Sequence, residues 1–437
     1  VIPPELVDQL QYNLIRSHSA GVGPYFSEDL ARMIMVLRAN VLAIGRSGIS
    51  VEVLKLLIAM INKEIYPLIP EKGSVGASGD LAPLAHLASV MIGEGKAQYD
   101  GVEGDGIEIL EMAGLEPCKL RAKEGLSLIN GTQVMTAVGA KALHMALNLS
   151  ELADIAGALT LEALRGTLTA FDDRIHQERP YQGQMDCAAN LRRLLNKSEI
   201  IPSHKDCAKV QDSYTLRCIP QVHGPVRDTL EYAEKMLTIE MNSATDNPMV
   251  FAEEGELLSG GNFHGQSVAF LMDFLKIAVA ELGNISERRT ERLVNPALSE
   301  LPAFLVQEGG LNSGLMVSQV TAAALVSENK VLCHPASIDS IPTSGNKEDH
   351  VSMGTISARK ALEVVDNVET ILAVELLAAT QALEFLKPLK PAKPLAPVVN
   401  KIREYIPPWD RDRNMAADIL MMKDLIHDRS VYNLIKS

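Results

Sequence analysis

Apolar residues recur along most of this chain at steps of three and four, the spacing that places side chains on one face of an α-helix. Between residues 5 and 66, Leu6, Leu10, Leu14 and Ile15 form one such row, and Met33, Val36, Leu37 and Val41 form another. From Gln133 to about Ala170 the period returns, with Leu152, Ile155 and Leu159 on a shared face. Val268, Leu271, Leu275, Ala278, Leu282 and Ile285 alternate steps of three and four, the seam of a helix packed inside a bundle. Two more long helices are predicted at about 312–330 and about 356–386, the second with Val365, Val368, Leu372 and Leu376 on one side. The stretch from about 97 to 118 breaks the rhythm and leaves room for short strands. A Pro- and Lys-rich segment, 387–394, ends the last long helix, and the residues after it read as a small helical tail. No internal repeat is visible.

This pattern predicts an all-α fold in three parts: an N-terminal domain, 1–132, that carries a glycine-rich loop, a central helical bundle, 133–386, and a C-terminal helical tail, 387–437. Composition agrees, since hydrophobic residues make up 47% of the 437 but aromatics only 4%. The core must therefore be built from Leu, Ala, Val, Ile and the 17 Met, which favours packed helices over sheet. A net charge of −14 opposes binding to nucleic acid or an anionic membrane, because phosphate contacts need a basic surface. The five cysteines, Cys118, Cys187, Cys207, Cys218 and Cys333, are scattered and form no Cys-x-x-Cys pair, so neither a metal nor a redox centre is expected. They read as thiols of a cytoplasmic protein. No apolar run approaches the ~20 residues that span a bilayer. The opening residues, Val1-Ile2-Pro3-Pro4-Glu5, have no secretory pattern and no initiator methionine, and an upstream portion is expected to be missing or removed.

The chemistry concentrates in Gly73-Ser74-Val75-Gly76-Ala77-Ser78-Gly79-Asp80, followed by Leu81-Ala82-Pro83-Leu84-Ala85-His86. Small residues here interrupt apolar sequence on both sides, so the backbone turns tightly with little side-chain bulk. A plain reading is a loop before a helix, with Asp80 as N-cap and Pro83 in the first turn. A chemical reading is that the Gly79 nitrogen attacks the Ala77 carbonyl carbon to close a five-membered ring, after which dehydration turns Ser78 into a methylidene group. Gly79 offers an unhindered amide, Ala77 leaves space around the carbonyl, and Ser78 carries the hydroxyl that is lost. The product would be an electrophile made without an external cofactor, with the helix N-terminus beside Asp80 favouring electron density on the ring oxygen.

The run GSVGASGDLAPLAHLA resembles the signature of the aromatic amino-acid ammonia-lyases, whose prosthetic group is 4-methylidene-imidazol-5-one (MIO). The likeness extends along nearly the whole chain and points to the histidine ammonia-lyases (histidases) within that family. It implies a helical fold of the fumarase/aspartase-like superfamily, and MIO formed from Ala77, Ser78 and Gly79. It also implies a homotetramer whose active sites draw residues from three chains.

Other motifs gain meaning from the same likeness. His18, in Ser17-His18-Ser19, alone reads as a solvated turn residue. Histidine-specific members carry Ser-His here and phenylalanine-specific ones Phe-Leu, so His18 is marked as a substrate contact. Asn130-Gly131 alone reads as a turn, and by resemblance Asn130 supports the prosthetic ring or the amino group. In the segment 209–218, Gln211, Tyr214 and Arg217 at steps of three would project to one side. The resemblance gives Arg217 to the substrate carboxylate, which its planar fork binds bidentately, puts Tyr214 near the electrophile and Gln211 in the same pocket. Phe263, in Gly261-Asn262-Phe263-His264, lies against the prosthetic group in the family. Glu348, in a Glu-Asp-His run that otherwise reads as a solvated helix cap, stands where histidine-specific members keep glutamate and phenylalanine- or tyrosine-specific ones keep glutamine.

The implied reaction is non-oxidative conversion of L-histidine to trans-urocanate and ammonia. The family's general base is a tyrosine in a mobile loop upstream of the Ser-His pair, and counting back from His18 runs off the start of this sequence. Loss of a general base lowers rates by about 10²- to 10⁴-fold. Either the upstream segment lies outside this sequence and the parent protein is an enzyme, or the chain is a short form serving as a structural or regulatory subunit. Retention of Ala77-Ser78-Gly79, Arg217 and Glu348 together favours the first. A tyrosine ammonia-lyase or an aminomutase shares the prosthetic group and stays open at this point. A fumarase-like lyase would need no Ala-Ser-Gly electrophile.

Overall fold

The computed structural model describes residues 2–205 and 210–435. Cys207 and the first residue of the 209–218 segment lie outside them. Among the described residues the chain is helical with three small antiparallel sheets, in two compact units. The first comprises residues 1–142, 233–273 and 335–362, and the second 143–232, 274–334 and 363–437.

In the first unit the expected helical region 5–66 resolves into Val7–His18, Glu28–Ala43 and Val51–Asn62. Strand Val22–Tyr25 pairs with Pro70–Lys72, and Tyr66–Pro67 pairs with Lys96–Tyr99, which in turn pairs with Val102–Asp105. These ribbons join the helices that carry His18 and the Gly73–Asp80 loop. The buried face of Glu28–Ala43 is Leu30, Ile34, Met35, Arg38, Val41 and Leu42, whereas Val36 is 46% exposed. The buried row is therefore rotated from the expected one, and it includes the charged Arg38.

Arg38 is wholly buried, and its guanidinium donates to the main-chain oxygens of Ser127 and Asn130 and to Gln133 Oε1. These bonds offset the loss of hydration that an apolar row would not incur. Desolvation lowers its pKa to about 10, with Asp246 opposing the fall, so it stays a cation at neutral pH.

In the second unit most of helix Gln133–Ala163 packs with the greater parts of Ile219–Met241, Gln266–Val294 and Gly354–Glu384. Leu152, Ile155, Leu159, Leu275, Leu282, Val365, Val368, Leu372 and Leu376 are all buried, as their spacing predicts. The first of these helices stops at Ala163 rather than near Ala170. Arg165 takes the left-handed conformation at φ 56°, and Gly166 N–H returns to the Leu161 oxygen, a helix-ending turn made here by a non-glycine residue.

This core also encloses charge. Arg289 Nε and Nη2 bind Glu375 at 2.5 and 2.8 Å, both side chains are fully buried, and Thr160 Oγ1 donates to the same carboxylate at 2.7 Å. Nearby, Asp154 accepts from His223 Nδ1 (2.8 Å), Arg227 (2.7 Å), Asn190 (2.9 Å) and Cys187 Sγ (3.1 Å). Asp154, Cys187 and His223 have donor atoms close enough together for a metal. Arg227 on Asp154 and Arg289 beside His223 Nε2 (3.4 Å) put positive charge where a cation would sit, so the cluster acts in packing.

Burial alone would raise the Asp154 pKa, but the His223 and Arg227 contacts hold it at about 2, below the ordinary 3.8. A depressed carboxylate contributes stability that is complete above its unfolded pKa and is lost as pH falls through the folded value. Wild type should therefore lose melting temperature between about pH 4 and pH 2. Asp154→Asn should be less stable at neutral pH and show a shallower loss in that window, measured by thermal unfolding across pH.

Candidate active site

The loop 73–80 is held from two directions within the first unit. On one side Gly79 pairs with Gly131, and Asp80 N–H donates to the Gly131 oxygen at 2.7 Å. On the other, Ser352 Oγ donates to Gly76 O at 2.8 Å, and Met353 N–H to Val75 O at 2.8 Å. Ala77 packs with Ala336, Val351 and Met353. Gly79 has φ 69°, and a Cβ there would lie 2.1 Å from the Gly131 oxygen, so only glycine fits.

Asp80 occupies the N-cap position of helix Leu81–Met91, but its side chain makes no cap bond. Its carboxylate instead accepts from Ser74 Oγ (2.9 Å), Met135 N–H (2.9 Å) and Thr355 Oγ1. The expected cap is replaced by a buried node joining the loop to the helices Gln133–Ala163 and Gly354–Glu384. Desolvation raises the Asp80 pKa against these donors.

Ala77, Ser78 and Gly79 line a cleft of about 290 Å³ together with Ser17, His18, Thr343 and Glu348. His18 Nδ1 lies 2.8 Å from Leu14 O, which can only accept, so Nδ1 carries the proton and Nε2 is left for the cleft. Glu348 Oε2 accepts from Thr343 Oγ1 (2.6 Å) and Ser344 Oγ (2.7 Å). Burial works against its ionisation, but the hydroxyls of Thr343, Ser344 and Ser78 and the nearby His18 hold its pKa below the usual carboxylate value. The cleft thus sets a carboxylate and an imidazole nitrogen beside the Ser78 hydroxyl.

Asn130 is not in the wall of this cleft. It is buried beside Gly131, with Nδ2 donating to Asp246 Oδ1 and Asn247 O, both at 3.0 Å. Phe263 is half-buried in the loop that precedes helix Gln266–Val294 and lines neither this cleft nor the one described next. Gln211, Tyr214 and Arg217 belong to the second unit. There Arg217 Nη1 donates to Gln211 Oε1 at 2.7 Å, and its guanidinium lies 4.6 Å from the Tyr214 ring centroid. Gln211 and Arg217 line a cleft of about 310 Å³ with Asp212, Arg165 and Thr167. The three residues share a side, as their spacing predicts, and the fork of Arg217 is oriented before any ligand arrives.

Sequence reasoning missed Arg38, Lys123, Asp246, Ser352 and Thr355, all of which brace the loop or Asn130. A charged residue inside the apolar row of Glu28–Ala43 was the one local signal of this bracing.

The helical scaffold presents an Ala-Ser-Gly turn to a cleft that holds a carboxylate and an imidazole, and the proteins this chain is similar to are carbon–nitrogen lyases. A family model described as aromatic amino acid lyase matches residues 1–404. Histidine ammonia-lyase of Alkaliphilus oremlandii is 55% identical over 98% of this chain and 84% of its own length. The crystal structure of histidine ammonia-lyase from Trypanosoma cruzi superimposes with a TM-score of 0.94 at 49% identity, covering 100% of this chain and 83% of that one. Tyrosine aminomutase from Streptomyces globisporus gives 0.92 at 43% identity, over 99% of this chain and 85% of that one. The chain belongs to the aromatic amino acid lyase family.

Gly79→Ala should lower stability by at least ~2 kcal/mol, from left-handed strain and collision with Gly131. Gly101→Ala shares a positive φ of 77° but meets nothing within 4 Å, and should cost only about 1 kcal/mol. Chemical denaturation of both variants checks the difference.

Proposed function

We propose that this protein deaminates L-histidine without oxidation, giving trans-urocanate and ammonia. The observation that carries the reading is the cleft in which Glu348 and His18 Nε2 flank Ser78. An imidazole side chain carries one N–H and one bare nitrogen in its neutral form, so it can donate to the Glu348 carboxylate. A phenyl ring would leave that carboxylate without a partner, a mismatch worth discrimination of up to about 10⁴-fold. Glu348 already bonds Thr343 and Ser344, which fix its orientation and keep it ionised.

The reaction breaks the Cα–N bond and a Cβ–H bond and forms a Cα=Cβ double bond. A base takes the β-proton and the amino nitrogen leaves as ammonia. Neither bond breaks readily, because the β-hydrogen is weakly acidic and the amino group leaves poorly. MIO formed from Ala77, Ser78 and Gly79 would supply an electrophile that accepts electron density from the substrate. The residues present fit that group: Gly79 sits where a Cβ is excluded, and the turn from Ala77 to Gly79 lines an open cleft. Asp80, Gly131 and Ser352 would hold the loop in its turn. Arg217, held by Gln211, is suited to a substrate carboxylate, with Tyr214 beside it and Phe263 against the prosthetic group. We infer a homotetramer in which different copies contribute these groups, and a cytoplasmic location, with which the absence of a disulfide at Cys118, Cys187, Cys218 and Cys333 agrees. Among the described residues no helix is long and apolar enough to cross a membrane.

Intact mass spectrometry of the purified protein should show the loss of two water molecules and an ultraviolet difference absorbance, both absent from Ser78→Ala, which should keep its fold. An unreacted wild-type mass overturns the reading. Full-length protein should deaminate L-histidine far faster than L-tyrosine or L-phenylalanine, and Glu348→Gln should cut the histidine rate by about 10²-fold or more. A wild-type preference for tyrosine, or histidine turnover untouched by Glu348→Gln, removes histidine as the substrate.

A further inference from the structure

Helix Leu81–Met91 leaves the turn 77–80 directly, and its first residues, Leu81 and Ala82, line the same cleft as Ser78. Ala82, His86 and Ser89 follow one another at steps of four and three, so they share one face of that helix. This face meets the turn that ends helix Val7–His18. Gly21 N–H donates to His86 Nε2 at 3.1 Å, and Ser19 Oγ lies 2.8 Å from Ser89 Oγ. Because Gly21 N–H can only donate, Nε2 is the bare nitrogen of a neutral ring. Desolvation lowers the His86 pKa and favours that form.

The turn held in this way is short. Ala20 N–H returns to His18 O at 2.7 Å, Ser19 Oγ donates to Ile15 O at 2.9 Å, and strand Val22–Tyr25 begins immediately after Gly21. His18 and Ala20 line the cleft, and so do Gly73 and Ala82. The two sides touch without slack: a Cβ on Gly73 would lie 3.2 Å from Gly21 Cα and 3.8 Å from both Ala20 O and Ala82 Cβ. His86 lies outside the cleft wall. Its bond to Gly21 ties the helix that leaves the Ala-Ser-Gly turn to the chain just beyond His18.

We propose that His86 is a positioning residue for the lyase reaction: by accepting the Gly21 N–H it fixes where His18 stands in the cleft relative to the Ala77-Ser78-Gly79 turn. This rests on the reading above, in which His18 faces the substrate. His86→Phe fills similar space but cannot accept, which frees the turn and lets His18 shift. His86→Gln brings an amide oxygen to the place of Nε2 and keeps the bond.

The test is steady-state kinetics on full-length protein for His86→Phe, His86→Gln, His18→Ala and the double variant His18→Ala/His86→Phe. It uses whichever aromatic amino acid the wild type deaminates fastest, so a substrate other than histidine revises the preceding section without touching the cycle. His86→Phe should retain the mass loss of two waters while kcat/KM falls by about 10-fold, the scale of a small misplacement. The loss should fall mainly on KM, because a displaced contact serves ground and transition states alike. His86→Gln should stay within about twofold of wild type. In the His18→Ala background His86→Phe should change kcat/KM less than about twofold, because it acts through His18. Unchanged kcat/KM in His86→Phe, equal losses in both backgrounds, a loss confined to kcat, His86→Gln as impaired as His86→Phe, or an unreacted loop in His86→Phe overturns the proposal. If His86→Phe fails to fold by circular dichroism, His86→Leu takes its place with the same expectations. If that variant also fails to fold, His86 is a structural residue and the proposal falls. A wild type with an unreacted mass refutes the lyase reading itself, and full kcat/KM in His18→Ala removes His18 from the substrate; either result takes the proposal with it.

Discussion

The loop that carries Ala77, Ser78 and Gly79 is held by one buried carboxylate, Asp80, which collects donors from the loop itself and from two segments far along the chain. Ser74, Met135 and Thr355 all converge on it. A buried carboxylate left unpaired would cost several kcal/mol, so these segments must come together if Asp80 is to lie inside. The same residue donates its own N–H to Gly131, against which Gly79 is pressed too closely for any side chain. Loop shape and the glycine at 79 both depend on this node. A tight turn of this kind would otherwise relax into solvent, because small residues bring little burial to hold it.

Around this node the first unit spends further buried charge on the segment opposite the loop. Arg38 grips the main chain of Ser127 and Asn130, and Asp246 with Lys123 grips the Asn130 side chain. Such pairs are poor sources of net stability compared with apolar packing. Their value lies in direction, since charged hydrogen bonds fix a group to one orientation where dispersion contacts would leave several. The second unit uses the same device in Arg289–Glu375 and in the donors on Asp154, within a helical core of Leu, Val and Ala.

The chemistry divides along different physical lines. Reactivity is assigned to backbone atoms of a constrained turn, and selectivity to polar side chains at the cleft wall. Thr343 and Ser344 orient Glu348 and hold its pKa below the usual carboxylate value in a half-buried place. Leu14 O likewise holds His18 by Nδ1 and leaves Nε2 for the cleft. Arg217 is likewise oriented, by Gln211 and the Tyr214 ring. In each case a neighbour does no chemistry but removes a rotational choice.

Helical period, the glycine-rich turn, and the approach of His18 and Glu348 to that turn in one cleft were legible in the sequence, because they depend on residue type at short spacing or on a long motif likeness. The buried faces of Gln133–Ala163 and Gly354–Glu384 follow from period alone, since those helices bury nearly continuous apolar rows. Other features depended on partners far along the chain. Arg38 can lie on the buried face of its helix because Ser127, Asn130 and Gln133, about ninety residues away, supply acceptors. Asp80, a good cap by local rules, gave up capping because Met135 and Thr355 offered it donors. Local sequence decides which groups are apolar and which turns are cheap. It cannot say which buried polar groups will find each other, because each such bond outweighs a local preference only after the intervening chain has folded and excluded water.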